Sequence, residues 1–150
     1  MEENLDHEWI KLNNPGAAEH SCTCKSCQAM CKHCPCLGTP DDILKIIKAG
    51  FADKLEGTTW LAGLKYGQGP IYMVQPLQNK NGRCAFLDKD DLCKLHNLGL
   101  KPIEGKLSSH KVGSDRLAYV VARTWLFKRN NEIIDQIVDE LEKNKNNPNQ

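Results

Sequence analysis

The sequence predicts a small α+β domain, mainly helical, and three observations carry that expectation. The stretch GTPDDILKIIKAGF, residues 38–51, has the start, stripe and stop of an amphipathic helix. Two later stretches, SDRLAYVVARTWLFK and the run from Ile133 to Leu141, repeat apolar residues at helical spacing. Between them, short apolar runs are separated by the turn sequences NKNG and DKDD, as in β structure.

Each element can be justified in order. Residues 1–20 are polar, with Trp9, Ile10 and Leu12 as an apolar patch able to pack onto the body. In the first helix Thr39 is placed as N-cap, Pro40 suits the first helical position, and Asp42 stands where a capping-box acid belongs. Ile43, Ile46 and Ile47 form its buried stripe, and Gly50 ends it. Residues 52–70 give no clear periodic signal, and within them GLKYGQGP reads as loop from its three glycines and Pro70. IYMV at 71–74 reads as a strand, and CAFL (84–87) with LCKL (92–95) as a short central β-hairpin turning at DKDD. Leu117, Val120, Val121 and Trp125 share one helix face, and Ile133, Ile134, Ile137, Val138 and Leu141 mark a second C-terminal helix. The expected organisation is one domain over residues 1–143 and a disordered tail over 144–150, where NKNNPNQ lacks apolar residues.

Bulk properties narrow the function classes. A chain of 150 residues has the length of one ordinary domain and buries roughly two-thirds of its unfolded surface. The formal charge is +1 with both signs interleaved, so the overall field favours neither nucleic acid nor an anionic membrane as partner. No apolar run reaches the ~20 residues of a membrane span. The opening MEENLDHEWIKLNN has acids where a signal peptide carries positive charge. A cytoplasmic, reducing setting is therefore expected, in which clustered cysteines mean metal or redox chemistry more often than disulfides.

The chemistry concentrates in CTCKSCQAMCKHCPC. Six of the eight cysteines fall within residues 22–36, and the other two are Cys84 and Cys93. Cys24, Cys27, Cys31 and Cys34 would lie within about 80° of arc on one face if this segment were helical. Cys22 and Cys36 fall off that face, and Pro35 would end such a helix. Buried cysteine in a core stripe is the plain alternative. Such stripes are built from Leu, Ile, Val and Ala, however, and Met30 is almost the only ordinary hydrophobe here.

Metal ligation accounts for the run better. Cys24/Cys27 and Cys31/Cys34 are Cys-x-x-Cys pairs, and Cys84 with Cys93 offers the distant half of a four-thiolate zinc site. The expected ligand set is Cys24, Cys27, Cys31, Cys34, Cys36, Cys84 and Cys93, with Cys22, His96 and His110 as further possible ligands. Zinc is the first expectation, and iron or an iron–sulfur cluster the alternative, since four thiolates also hold such clusters. The intervals C-x2-C-x3-C-x2-C differ from the ferredoxin pattern C-x2-C-x2-C-x3-C-P. Cys27, Cys31 and Cys34 do spell the C-x3-C-x2-C of radical SAM enzymes. Those enzymes need most of an α/β barrel, and no alternating strand–helix series exists here. A thiol-based enzyme would need one cysteine set apart by a lowered pKa, and no feature of the sequence singles one out. No catalytic residue is assigned.

Taken together, the clustered Cys24, Cys27 and Cys31, then PCLGTPDDILKIIKAGF, then RCAFLDKDDLCKLHNLGLKP, resemble the YkgJ-type cysteine-cluster family of zinc- or iron-chelating domains. The resemblance covers roughly residues 22–111, through Thr39 to Asp42, Cys84 with Phe86 and Leu87, Cys93 with His96, and Lys101–Pro102. It implies metal binding, and the expected fold is a small metal-stapled domain whose cysteine run and central hairpin are pinned together by metal. Many members carry another cysteine three residues after that proline, where this chain has Gly105. Cys34, Cys36 and His110 are the candidates to replace it.

Overall fold

A computed structural model describes residues 5–13, 36–60, 70–90, 92–107, 114–128 and 131–146. Helix α1 spans Leu5–Leu12 and α2 spans Pro40–Lys48; a 3-10 turn at Ala52–Lys54 leads into strand β1, Leu55–Trp60. Strand β2, Ile71–Pro76, is followed by α3 (Lys94–Asn97), α4 (Ile103–Leu107), α5 (Ser114–Phe127) and α6 (Glu132–Asn146). The fold is a small α+β architecture, mainly helical.

Helix α2 forms where local chemistry says it should. The Thr39 side chain accepts from the Asp42 amide, Asp42 accepts in return from the Thr39 amide, and Pro40 opens the first turn. At the other end the Gly50 amide donates to the Ile47 carbonyl and the Phe51 amide to that of Ile46, the paired bonds of a Schellman stop. Gly50 sits at φ +98°, which a side chain would resist. Ile43, Ile46 and Ile47 are buried against α6 and β2.

The core is one contiguous apolar cluster. It joins Ile10 of α1, the α2 isoleucines, Met73 and Val74 of β2, Phe86, Leu95, Ile103 and Leu107, and Val121 and Trp125 of α5. Helix α5 packs on β2, α4 and α1, while α6 covers α2 and the 3-10 turn. Phe51 meets Phe86 edge-on at 5.8 Å between ring centres, within the usual range for aromatic pairs. Among the described residues, no helix is long and apolar enough to cross a membrane.

Two parts of the β structure differ from the sequence expectation. Residues 55–60, to which the sequence assigns no element, are strand β1, which pairs antiparallel with β2 from Leu55↔Pro76 to Trp60↔Ile71. Gly57 hid this strand; the Tyr72 ring on the partner strand lies over it and occupies the space of the missing side chain. The hairpin expected over 84–95 is present in shortened form, as a tight ribbon. Its bridges are Gln78↔Cys84 and Leu87↔Cys93, and Lys94 already starts α3. Asp88 explains the short pairing, because its Oδ1 accepts from the amides of Asp90 and Leu92 and curls the chain before a ladder can extend. At the C-terminus, α6 runs to Asn146, past the expected start of the tail at 144; residues 147–150 lie outside the described residues.

Gly38 is needed for close approach rather than for backbone freedom. A Cβ there would stand 2.9 Å from Asp42 Cβ, 3.0 Å from Asp42 Oδ2 and 3.0 Å from Pro102 Cβ. Its carbonyl also accepts the indole N–H of Trp125 at 2.8 Å. Gly38→Ala is expected to cost about 1–3 kcal/mol by overpacking, read as a lower midpoint in chemical denaturation with an unchanged slope.

Candidate metal centre and the carboxylates that support it

Three of the expected ligands lie among the described residues, and they come from two places in the fold. Cys84 and Cys93 sit on the ribbon, where the Leu87 amide donates to the Cys84 carbonyl at 3.1 Å and the Lys94 amide to that of Phe86 at 2.9 Å. Cys84 is part of the apolar core, and Cys93 packs against it half-buried. Cys36 is buried at 8% exposure, yet among the described residues it is not a member of that cluster. None of the three is in a disulfide. Cys22, Cys24, Cys27, Cys31, Cys34 and His110 lie outside the described residues, as does the side chain of His96 in α3. The helical form expected for the cysteine run falls there too.

The donor chemistry suits a thiophilic metal, since thiols outside disulfides are the form that binds. Among the described residues, no group of three or more Cys, His, Asp or Glu side chains is arranged to hold a metal ion. Cys36, Cys84 and Cys93 can therefore contribute to a centre, and the described part of the chain does not complete one.

Two buried carboxylates fasten the chain immediately after Cys36. Glu104, 5% exposed in the first turn of α4, accepts the Leu37 amide on Oε1 at 2.9 Å, while its own amide donates to the Leu37 carbonyl at 3.1 Å. Asp42, 6% exposed, does more than cap α2. Its Oδ2 accepts the amides of Thr39 and Ile103, both at 3.1 Å, and its Oδ1 receives His7 Nε2 of α1 at 2.7 Å. A carboxylate only accepts, so His7 carries its proton on Nε2 in this contact. One side chain thus joins α1, the segment leaving the cysteine run, α2 and α4.

Sequence reasoning found Asp42 as a capping acid and missed its other partners. It missed His7 and Glu104 altogether. Neither Glu104, in KPIEGK, nor His7, on a polar segment, carries a signal in the sequence that marks these contacts.

The seat of α1 combines attraction and penalty. Trp9 meets Phe127 edge-on at 5.0 Å, and the Arg123 guanidinium stands 5.7 Å from both ring centres. Asp6 works against docking: its Oδ2 is buried with no hydrogen-bond partner among the described residues. Burial pushes its pKa above the usual 3.8, helped by Asp41 and Asp42 and opposed by Lys128 and His7.

A separate groove of about 630 Å³ opens between the sheet and α6, lined in part by Glu56, Thr58, Tyr72, Leu141 and Glu142. Burial, and secondarily Glu142, raises the Tyr72 pKa above 10.0. None of the described cysteines lines this groove.

Comparison with protein-family models, curated proteins and solved structures finds no match to this chain.

The raised pKa of Asp6 has a definite sign in stability. Where the native side chain holds a proton that the unfolded chain has released, stability falls as pH rises through that window, which begins near the ordinary value of 3.8. Asp6→Asn is expected to raise the melting temperature at neutral pH. The advantage over the parent should shrink as pH falls toward about 4, as melting curves of the two proteins across pH would show.

Proposed function

We propose that this chain is a metal-binding cysteine-cluster protein whose metal is structural or chelated, with no catalytic activity assigned. Zinc is the preferred metal. The observation that carries the reading is the crowding of six cysteines into residues 22–36, at Cys-x-x-Cys spacing, with two more on the ribbon at 84 and 93. The resemblance to the YkgJ-type family supports the same reading.

Structural features are consistent with it. Cys36, the last cysteine of the run, is buried, and Cys84 and Cys93 are held on a ribbon tied by backbone hydrogen bonds. The residues proposed to hold metal are Cys24, Cys27, Cys31, Cys34, Cys36, Cys84 and Cys93, with Cys22, His96 and His110 as further candidates. Bound zinc would supply folding energy by joining segments far apart in sequence. A reducing, cytoplasmic setting would keep the thiols available. The second reading is an iron–sulfur protein with a redox or enzyme-supporting role, favoured by the same thiolate-rich run.

Elemental analysis with an optical spectrum, on untagged protein purified anaerobically, separates the two. About one or two zinc per chain and no colour above 300 nm is the expected result. Iron with matching sulfide and absorbance near about 400 nm would establish the second reading in its place. Cys84→Ser is expected to lower the zinc content and the melting temperature together. A folded, fully loaded variant would remove Cys84 from the ligand set.

A further inference from the structure

The groove between the sheet and α6 runs along an open strand edge. Among the described residues β1 pairs along one side only, with β2. The Leu77 amide donates to the Lys54 carbonyl at 2.8 Å, one residue outside the Leu55↔Pro76 pair. Bonding alternates along an antiparallel ladder, so Glu56 and Thr58 exchange bonds with β2 while Gly57 and Thr59 turn their N–H and C=O groups outward. Pro76, which has no N–H, accordingly stands at an unbonded pair. Gly57 and Thr59 are both exposed. Successive strand residues face opposite sides of a sheet, yet all five of Leu55–Thr59 line the groove. It therefore follows the outer edge of β1 rather than one face. Folded proteins blunt such edges with lysine, proline or a bulge. Residues 55–59 read LEGTT, without lysine or proline, and their register with β2 is unbroken.

We infer that this edge is a docking site for an extended, basic peptide segment of a partner protein, which adds to the sheet as a third strand beside β1. The outward backbone groups of Gly57 and Thr59 call for an extended backbone as occupant. At about 3.3 Å per residue the Leu55–Thr59 edge is roughly 13 Å long, room for about four residues of a partner strand. The groove's volume of about 630 Å³ is in the range of formed binding sites. Charge selects the sequence of the occupant. Asp53 and Glu56 on the sheet side and Glu142 on α6 face the groove against one base, Lys145. Glu142 is felt on the opposite wall, where it helps burial to raise the Tyr72 pKa. Leu55, Leu77 and Leu141 offer apolar surface to the aliphatic stems of lysine or arginine. The inference is independent of the metal-binding reading, since the groove lies apart from the described cysteines.

The test uses the full chain and a capped, fluorescently labelled heptapeptide of alternating lysine and valine. Binding is read by anisotropy, and the place of binding by backbone amide shifts in NMR. Saturable binding with a Kd below about 1 mM is expected, weakening as salt rises, with the largest shifts at Gly57 and Thr59. Methylating the peptide's lysine nitrogens in one version and its valine nitrogens in another removes the donors of one peptide edge at a time. One version should lose affinity at least about tenfold while the other keeps it, because a strand docks by a single edge. Glu56→Lys combined with Glu142→Lys should weaken binding about tenfold. Thr59→Pro should weaken it too, by removing an outward N–H that β2 does not use. If these variants do not fold, the methylated peptides carry the test, since they leave the protein unchanged. No saturable binding overturns the inference, as does equal binding of both methylated peptides. Displacement of the label by spermidine as readily as by unlabelled peptide overturns it in favour of a small amine. A dimer of the protein alone in sedimentation, with Gly57 and Thr59 in its interface, overturns it in favour of a second copy of this chain.

Discussion

The carboxylate of Asp42 is the interaction on which the described structure depends. Removing such a group from water costs several kcal/mol, and a side chain left 6% exposed has little solvent to offset it. The offset comes from three donors, the amides of Thr39 and Ile103 and the imidazole of His7. Those donors belong to different segments, so satisfying one buried acid fixes α1, the entry to α2 and the start of α4 relative to each other. The close fit of Gly38 between Asp42 and Pro102 follows from the same crowding.

Around that centre the supports are layered. Glu104 holds Leu37 by a reciprocal pair of bonds, and Trp125 reaches across from α5 to the Gly38 carbonyl. Three successive residues after Cys36 are thus each fastened to a different partner: Leu37 to α4, Gly38 to α5, and Thr39 to α2. Backbone at this point is fixed by hydrogen bonds as well as by apolar packing. The arrangement also leaves α1 held on two sides, by His7 near its start and by the Trp9–Arg123–Phe127 stack further along, against the unfavourable burial of Asp6.

The groove between the sheet and α6 is a different region with different chemistry. Its walls carry hydroxyls, carboxylates and aliphatic side chains. The described cysteines stay on the ribbon and at residue 36, away from it. Tyr72 belongs to both the sheet and the groove, because its ring covers Gly57 and its edge meets Trp125 at 6.5 Å between centres. The pairing of β1 with β2 therefore depends on a contact across the strands more than on the composition of β1 itself.

Elements whose signals are local were legible from the residues alone. Helix α2 carries its cap, stripe and stop within fourteen residues, and the two C-terminal helices show their apolar spacing directly. Strand β1 was not legible, since Gly57 and two threonines make no apolar alternation and its support comes from Tyr72. The turn of the hairpin at 84–95 was legible but the shortness of its pairing was not, because the Asp88 bonds that curl it look, in sequence, like an ordinary polar turn. By itself the sequence determined the α+β class and where the thiols concentrate. Only tertiary structure decided that Asp42 and Glu104 secure the segment after those thiols, and that His7 joins them. The physical reason is that their partners are mostly backbone amides, which every residue but proline possesses and which therefore leave no mark in a sequence.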